Sequence, residues 1–209
     1  PEELVLIIDP KALAVLQAGI VRGAVVAEQI PVPDGALAGY IKVQRPKHAL
    51  AYLLKVFEKP VHAPEGVHPT AVIEDGAQVH PSVKIGAYSV VSAGAVIGEG
   101  TTLLSHVTVG AGVSMGRDCF IFPGVRLGDG VVLGNRVIIQ NNASLGADGF
   151  SYVTPEQGSV EAAKAGGKVT AQNTDIIKIA SIGTVIVEDD VEIVGLVAPA
   201  AGLVLLFVG

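Results

Sequence analysis

The chain has 209 residues, with 26 glycines, 12 prolines, 4% aromatic and 16% charged residues, a formal net charge of -6 and a mean hydropathy of +0.55. So apolar a composition excludes a disordered chain, and the acidic balance supplies no basic field for nucleic acid or anionic lipid. The single cysteine, Cys119, permits no internal disulfide and fits a reducing compartment.

Residues 1–62 read as a small α/β domain. An apolar run at 4–8 predicts a buried strand, Asp9-Pro10 an N-cap followed by proline at the first helical position, Gly19 the end of that helix, and 23–27 a second strand. The opening Pro1-Glu2-Glu3 is acidic where a secretory signal carries positive charge, which predicts a cytoplasmic location. Pro46 starts a second helix, stopping before Pro60, with Ala49, Leu50, Leu53, Leu54 and Phe57 on one face. That face is expected to dock on and cap the coils that follow, with Tyr52 and Phe57 packed rather than free to stack on a ligand.

From Val67 a period of six takes over. Every sixth residue through Leu145 is Val, Ile, Leu or Met, and the residue four places after each, from Ala71 to Gly149, is small or Cβ-branched. Glycine directly follows the large residue at Gly86, Gly98, Gly110, Gly116, Gly128, Gly134 and Gly146, and a second set stands at Gly76, Gly94, Gly100, Gly112, Gly124 and Gly130. These are turn positions, where positive φ or close backbone approach favours glycine. An α-helix needs a period near 3.6, and a sandwich would place irregular loops between its strands. Strict six-residue spacing predicts a parallel β-helix over 63–150, each hexad a short strand and a turn with one large side chain inward. The pattern resembles the left-handed β-helix of the hexapeptide acyltransferases, in which three hexads close one triangular coil, and that resemblance supplies the handedness. The inward residues then stack in three ladders, one of them Val67, Ile85, Leu103, Ile121 and Ile139, and both ends of the prism need a cap.

Residues 151–180 break the rhythm with Pro155, Gly158, Gly166 and Gly167, and predict an exposed insertion, partly hairpin. The hexads resume in phase over 181–194 with Val187 and Ile193. After that, 195–209 is an atypical apolar tail to which no hexad fits. The uncharged run 193–209 is shorter than the roughly 20 residues of a spanning helix and holds Pro199 and three glycines, so no transmembrane segment is expected.

Few residues invite a chemical reading. Gly128-Asp129-Gly130 lacks the last glycine of a dinucleotide loop, and no Lys-Ser/Thr follows any phosphate-loop candidate, so no cofactor is expected. His68 and His80 are twelve residues apart, hence on different faces, and their His-Pro contexts read as strand-entry turns rather than metal ligands. Cys119 stands at an inward small position and reads as an inert thiol. Arg117 and Arg136, nearly stacked on adjacent coils, could hold a phosphate or an acidic partner, with a solvated face as the alternative. The Asn142-Ala143-Ser144 triplet lies inside the prism and is discounted as a glycan acceptor. His106 points outward and is the candidate for a general base, its neighbours one coil away being Tyr88 and Gly124 rather than carboxylates.

Several segments taken together carry a sharper resemblance. They are Arg45-Pro46 with the helix behind it, Gly66-Val67-His68-Pro69-Thr70-Ala71, the coils, Leu145-Gly146-Ala147-Asp148-Gly149-Phe150-Ser151-Tyr152, Ile177-Lys178-Ile179, and 182–193. Over roughly 4–193 the chain resembles the UDP-3-O-acylglucosamine N-acyltransferases of lipid A synthesis. The resemblance implies a homotrimer with active sites in grooves between prisms and an N-terminal domain that binds uridine. It also implies transfer of a 3-hydroxyacyl group from acyl carrier protein to the 2-amine of a UDP-sugar, with a histidine as base. Asp148, Gly149, Phe150 and Tyr152 match the segment beside that groove and are the expected substrate-binding residues. The departures are a uridine segment reading Asp9-Pro10-Lys11-Ala12, without its aromatic, and a sequence after Ile193 that lacks the expected coil with the catalytic histidine. These predict a chain truncated at both ends, and the alternative to an enzyme is a truncated or frameshifted, non-catalytic trimeric scaffold of the same family.

Overall fold

The period of six is realised as three parallel sheets wound around one apolar interior. The computed structural model describes residues 4–9, 11, 23–155, 158–166, 175–194 and 197–199, in two units, 1–61 and 62–209.

In the second unit each hexad contributes a two-residue strand. One face is built from Val72–Ile73, Val90–Val91, Thr108–Val109, Arg126–Leu127 and Ser144–Ala147, each hydrogen-bonded in parallel to the next. The second runs from Gln78–Val79 to Val132–Leu133 and the third from Lys84–Ile85 to Ile138–Ile139. The architecture is therefore mostly β, a parallel solenoid whose hexapeptide repeats fit the left-handed β-helix.

The inward ladders close as the spacing demands. From Ile85 to Leu145 every large residue of the repeat is buried, as are Val187 and Ile193 after the insertion. Burial of each contributes about 1.5–3 kcal/mol. The first coil differs: Val67 is 47% and Ile73 38% exposed, because neither has a ladder neighbour below it within the solenoid. Two polar residues at inward small positions are satisfied by turn backbone. The Ser89 hydroxyl donates to the Leu104 carbonyl at 2.8 Å and accepts from the Val107 N–H at 3.0 Å, and Thr101 bridges Gly116 and Cys119 in the same way.

Glycine serves two separate purposes at the corners. Gly94 turns with φ +73°, whereas at Gly86 a Cβ would lie 2.6 Å from the carbonyl carbon of Leu104 on the next coil, so there it is space and not φ that excludes a side chain. Where the left-handed corner residue is not glycine it is Tyr88, His106, Asp118, Arg136, Asn142 or Asp190, with φ between 55° and 60°.

After Ala147 the chain leaves the prism. Tyr152–Val153 pairs antiparallel with Ile177–Lys178, and a short helix, Ser159–Lys164, lies between them. Ile186–Val187 and Glu192–Ile193 then add to the second and third faces in register. Val197–Pro199 pairs in parallel with Ser144–Ala147 across a register irregularity. No hexad fits this tail, yet the open edge of Ser144–Ala147 offers unpaired backbone groups that a strand can take whatever its side chains.

The first unit is a three-stranded parallel sheet of β1 (Leu4–Ile7), β2 (Gly23–Ala27) and β3 (Gly39–Val43), with helix α1 (Pro46–Phe57) against β1 and β2. Ile7, Ala24, Val26, Ala27 and Ile30 form its core. The helix expected between 10 and 19 lies outside the described residues. Strand β3 escaped the sequence reading because it is a mostly exposed edge strand and carries no apolar run. The helix beginning at Pro46 has the expected bounds, but its face is narrower: Ala49, Leu50 and Leu53 are half-buried, while Leu54, Tyr52 and Phe57 stand exposed. Within this unit Tyr52 and Phe57 therefore have no packed place. Among the described residues no helix is long and apolar enough to cross a membrane.

Candidate functional site

The neck of the insertion gathers the expected substrate-binding residues with partners that arrive from the far end of the excursion. Asp148 leaves the prism and forms an ion pair through Oδ2 with the Lys178 ammonium, both side chains about half exposed. The Lys178 contact and a hydrogen bond from the Ser181 backbone hold the Asp148 carboxyl below its usual range, and the same carboxylate raises Lys178. Gly149 donates its N–H to the Ser181 hydroxyl at 3.0 Å, and the Ile179 N–H closes on the Ser151 carbonyl at 2.9 Å. Strand register sets Tyr152 directly opposite Lys178.

Beside this polar knot lies an aromatic pair. The rings of Phe150 and Tyr152 sit 4.9 Å apart at 60°, and Phe150 is 96% exposed. Val153, Ile176, Ile177, Ile179 and Ile182 are also exposed, so the hairpin presents a large apolar surface around one charged pair. Such a surface offers flat apolar walls, one oriented carboxylate and one ammonium, which is the equipment for holding a sugar or another amphipathic ligand.

The description "Bacterial transferase hexapeptide (six repeats)" matches residues 76–111 and 112–147. Over 76–147 the coils match the repeat of that family. Among curated relatives, the UDP-3-O-acylglucosamine N-acyltransferase of Pseudomonas syringae pv. tomato is 36% identical over 160 residues, 77% of this chain and 41% of that protein. The enzyme of that name from Coxiella burnetii is 38% identical over 151 residues, covering 72% of this chain and 40% of its own length. The one from Pseudomonas syringae pv. syringae is 34% identical over 194 residues, 92% of this chain and 47% of that protein. The chain thus resembles N-acyltransferases over most of its own length, while spanning about two fifths to one half of the curated relatives it matches.

On the hexapeptide prism the other expected residues resolve differently. His106 sits exposed at a left-handed corner, its ring stacked on Tyr88 one coil below at 5.2 Å and 21°. Among the described residues its ring makes no hydrogen bond to a carboxylate, so nothing there orients it as a base. His68 and His80 each accept the backbone N–H two residues on through Nδ1, at 3.2 and 3.3 Å, and contact Thr70 and Ser82 hydroxyls. Both rings are thereby tied into turns, and among the described residues no group of three metal-ligating side chains converges.

Cys119 is 1% exposed, and burial raises its thiol. The pairing of Arg117 with Arg136 as an anion site is corrected by the return of the chain. Arg136 is bound to Asp190, with Nε and Nη2 each 2.6 Å from a carboxylate oxygen, and Asp189 stands 3.6 Å from Nη2. Lys178 and Ser181 were not singled out as site residues from sequence. The one signal for them was the Ile177-Lys178-Ile179 segment, because their partners lie 30 and 32 residues away and depend on how the excursion folds back.

Proposed function

We propose that this chain belongs to an N-acyltransferase that moves a 3-hydroxyacyl group from acyl carrier protein to the 2-amine of a UDP-3-O-acyl-glucosamine in lipid A synthesis. The reading is carried by the 36–38% identity of 151–160 residues of this chain to curated proteins of that name. In the reaction the acceptor amine attacks the thioester carbonyl. A C–N bond forms, the C–S bond breaks, and a base takes the proton lost by nitrogen and hands it to the departing carrier thiolate, which leaves as the thiol. Asp148, Gly149, Phe150 and Tyr152 hold the acceptor at the hairpin neck. The rings support the sugar and acyl carbons, and the backbone of Gly149 leaves room beside them. The 1–62 unit takes the uridine, the prisms assemble as a homotrimer, and the enzyme works in the cytoplasm. His106 is the candidate for the base.

The test is direct. Purified chain, UDP-3-O-acylglucosamine and 3-hydroxyacyl carrier protein are mixed, and the amide product is read by mass spectrometry. Product that disappears in His106→Ala assigns the base. Product that persists in that variant puts the base elsewhere. A second reading, a non-catalytic trimeric scaffold, is favoured by the His106 geometry, a ring stacked on Tyr88 with no carboxylate behind it among the described residues. Absence of product with retained binding of the UDP-sugar selects it.

A further inference from the structure

The carboxylate of Asp148 is gripped from one side and open on the other. Lys178 donates to Oδ2, and the adjoining residue Gly149 is fixed by its N–H on the Ser181 hydroxyl at 3.0 Å. Half of the Asp148 side chain nevertheless faces solvent. An ion pair serving only to close a hairpin has no need of what surrounds this one, since the strand register and the Ile179 N–H to Ser151 carbonyl bond already close it. Directly beside it stand two exposed rings, Phe150 and Tyr152, the second opposite Lys178 in register. An amino sugar has an apolar ring face and a polar edge bearing N–H donors. Aromatic faces accommodate the first and an oriented carboxylate the second.

Resting on the acyltransferase reading above, we propose that Lys178 is a positioning residue, fixing the Asp148 carboxylate so that its open side accepts a hydrogen bond from the acceptor's amine. Orientation is what the pairing contributes: an amine held through one N–H turns its lone pair away from the carboxylate and toward the incoming thioester. Without the ammonium, the carboxylate rotates freely and takes up a proton at higher pH, and a protonated carboxyl no longer serves as the acceptor.

Four proteins test this: the 209-residue chain, Lys178→Met, Lys178→Arg, and the double exchange Asp148→Lys with Lys178→Asp. Each is assayed for acylation against pH, and hydrogen exchange over 148–153 and 176–181 reads the hairpin. The expected result is a loss of about 10- to 100-fold in kcat/KM for Lys178→Met, with its acid limb moved to higher pH, and substantial rescue by Lys178→Arg. The double exchange keeps the hairpin as protected as the parent yet stays as slow as Lys178→Met, because an ammonium now stands where the carboxylate belongs. Full activity in Lys178→Met, or recovery of activity in the double exchange, overturns the positioning role and leaves the acyltransferase reading standing. A parent chain that gives no product, whether or not it binds the UDP-sugar, overturns the acyltransferase reading and the role of Lys178 with it.

Discussion

Arg136 and Asp190 lie 54 residues apart along the chain yet face each other across one coil, joined by two hydrogen bonds of 2.6 Å. Both occupy left-handed corners, with φ of 56° and 60°. Neighbouring pairs repeat the link: the Asn135 amide donates to both Asp189 oxygens at 3.1 and 3.0 Å, and Gln140 donates to Glu192 at 2.7 Å. Exposed pairs of this kind contribute little to global stability. Their place matters more, because they fasten the returning coil to the one below it after a long excursion.

That clasp makes the returning coil acid-sensitive. Hydrogen bonds from Asn135 hold Asp189 below its usual range, and Arg136 does the same for Asp190. Carboxyls with depressed folded values contribute stability that is present above the ordinary carboxylate range and lost as pH falls through those values. Hydrogen-exchange protection over 186–193, taken relative to the intrinsic rate at each pH, should therefore fall as pH drops below the ordinary carboxylate range, before the central ladder opens. Arg136→Gln should lower that protection already at neutral pH. Identical exchange in parent and variant across that range would remove the clasp from the account.

The ladders set a gradient of mutational cost along the prism. Leu127 is 2% exposed between Val109 and Leu145, so Leu127→Ala should cost about 2–5 kcal/mol in urea unfolding. Val67→Ala, at the exposed first coil, should cost far less. Ile97→Asp places a charge inside the stack and should prevent folding. Equal costs for Leu127→Ala and Val67→Ala would contradict the closed interior.

The two kinds of corner glycine separate in a paired experiment. Gly94→Ala should cost about 1 kcal/mol, the strain of an L-residue at φ +73° in a place with room for a methyl group. Gly86→Ala should cost more, about 1–3 kcal/mol, because the methyl group meets Leu104 backbone at 2.6 Å and the coils must separate. Thermal unfolding of the two variants reads the order, and the reverse order is incompatible with the coil spacing.

Cys119 should resist alkylation. Burial raises its thiol, so at neutral pH the thiolate is scarce as well as enclosed. Iodoacetamide labelling followed by mass spectrometry should show slow modification of the native chain and rapid modification in denaturant. Fast labelling of the native chain would mean that the prism opens locally at Cys119.

Phe150 separates binding from stability. With the side chain 96% exposed, Phe150→Ala should leave unfolding within about 0.5 kcal/mol of the parent. On the proposed function it should weaken UDP-sugar binding, measured by calorimetry. Unchanged binding would take the aromatic pair out of the site.

Sequence by itself determined the solenoid, because each hexad states the same local demand: one large side chain inward, one small or branched residue after it, and a corner where glycine fits. Those requirements recur every six residues and need no knowledge of distant partners, so the ladder from Ile85 to Leu145 was legible residue by residue, and Asp148 to Tyr152 could be marked by resemblance. Tertiary structure alone decided who meets whom across the excursion. It gave Asp190, not a ligand, to Arg136, set Lys178 and Ser181 against Asp148 and Gly149, and added Val197–Pro199 to a sheet edge. The physical reason is that a repeat fixes spacing within its own period. A contact between residues 30 to 54 apart depends on where an irregular loop returns, and no periodicity encodes that.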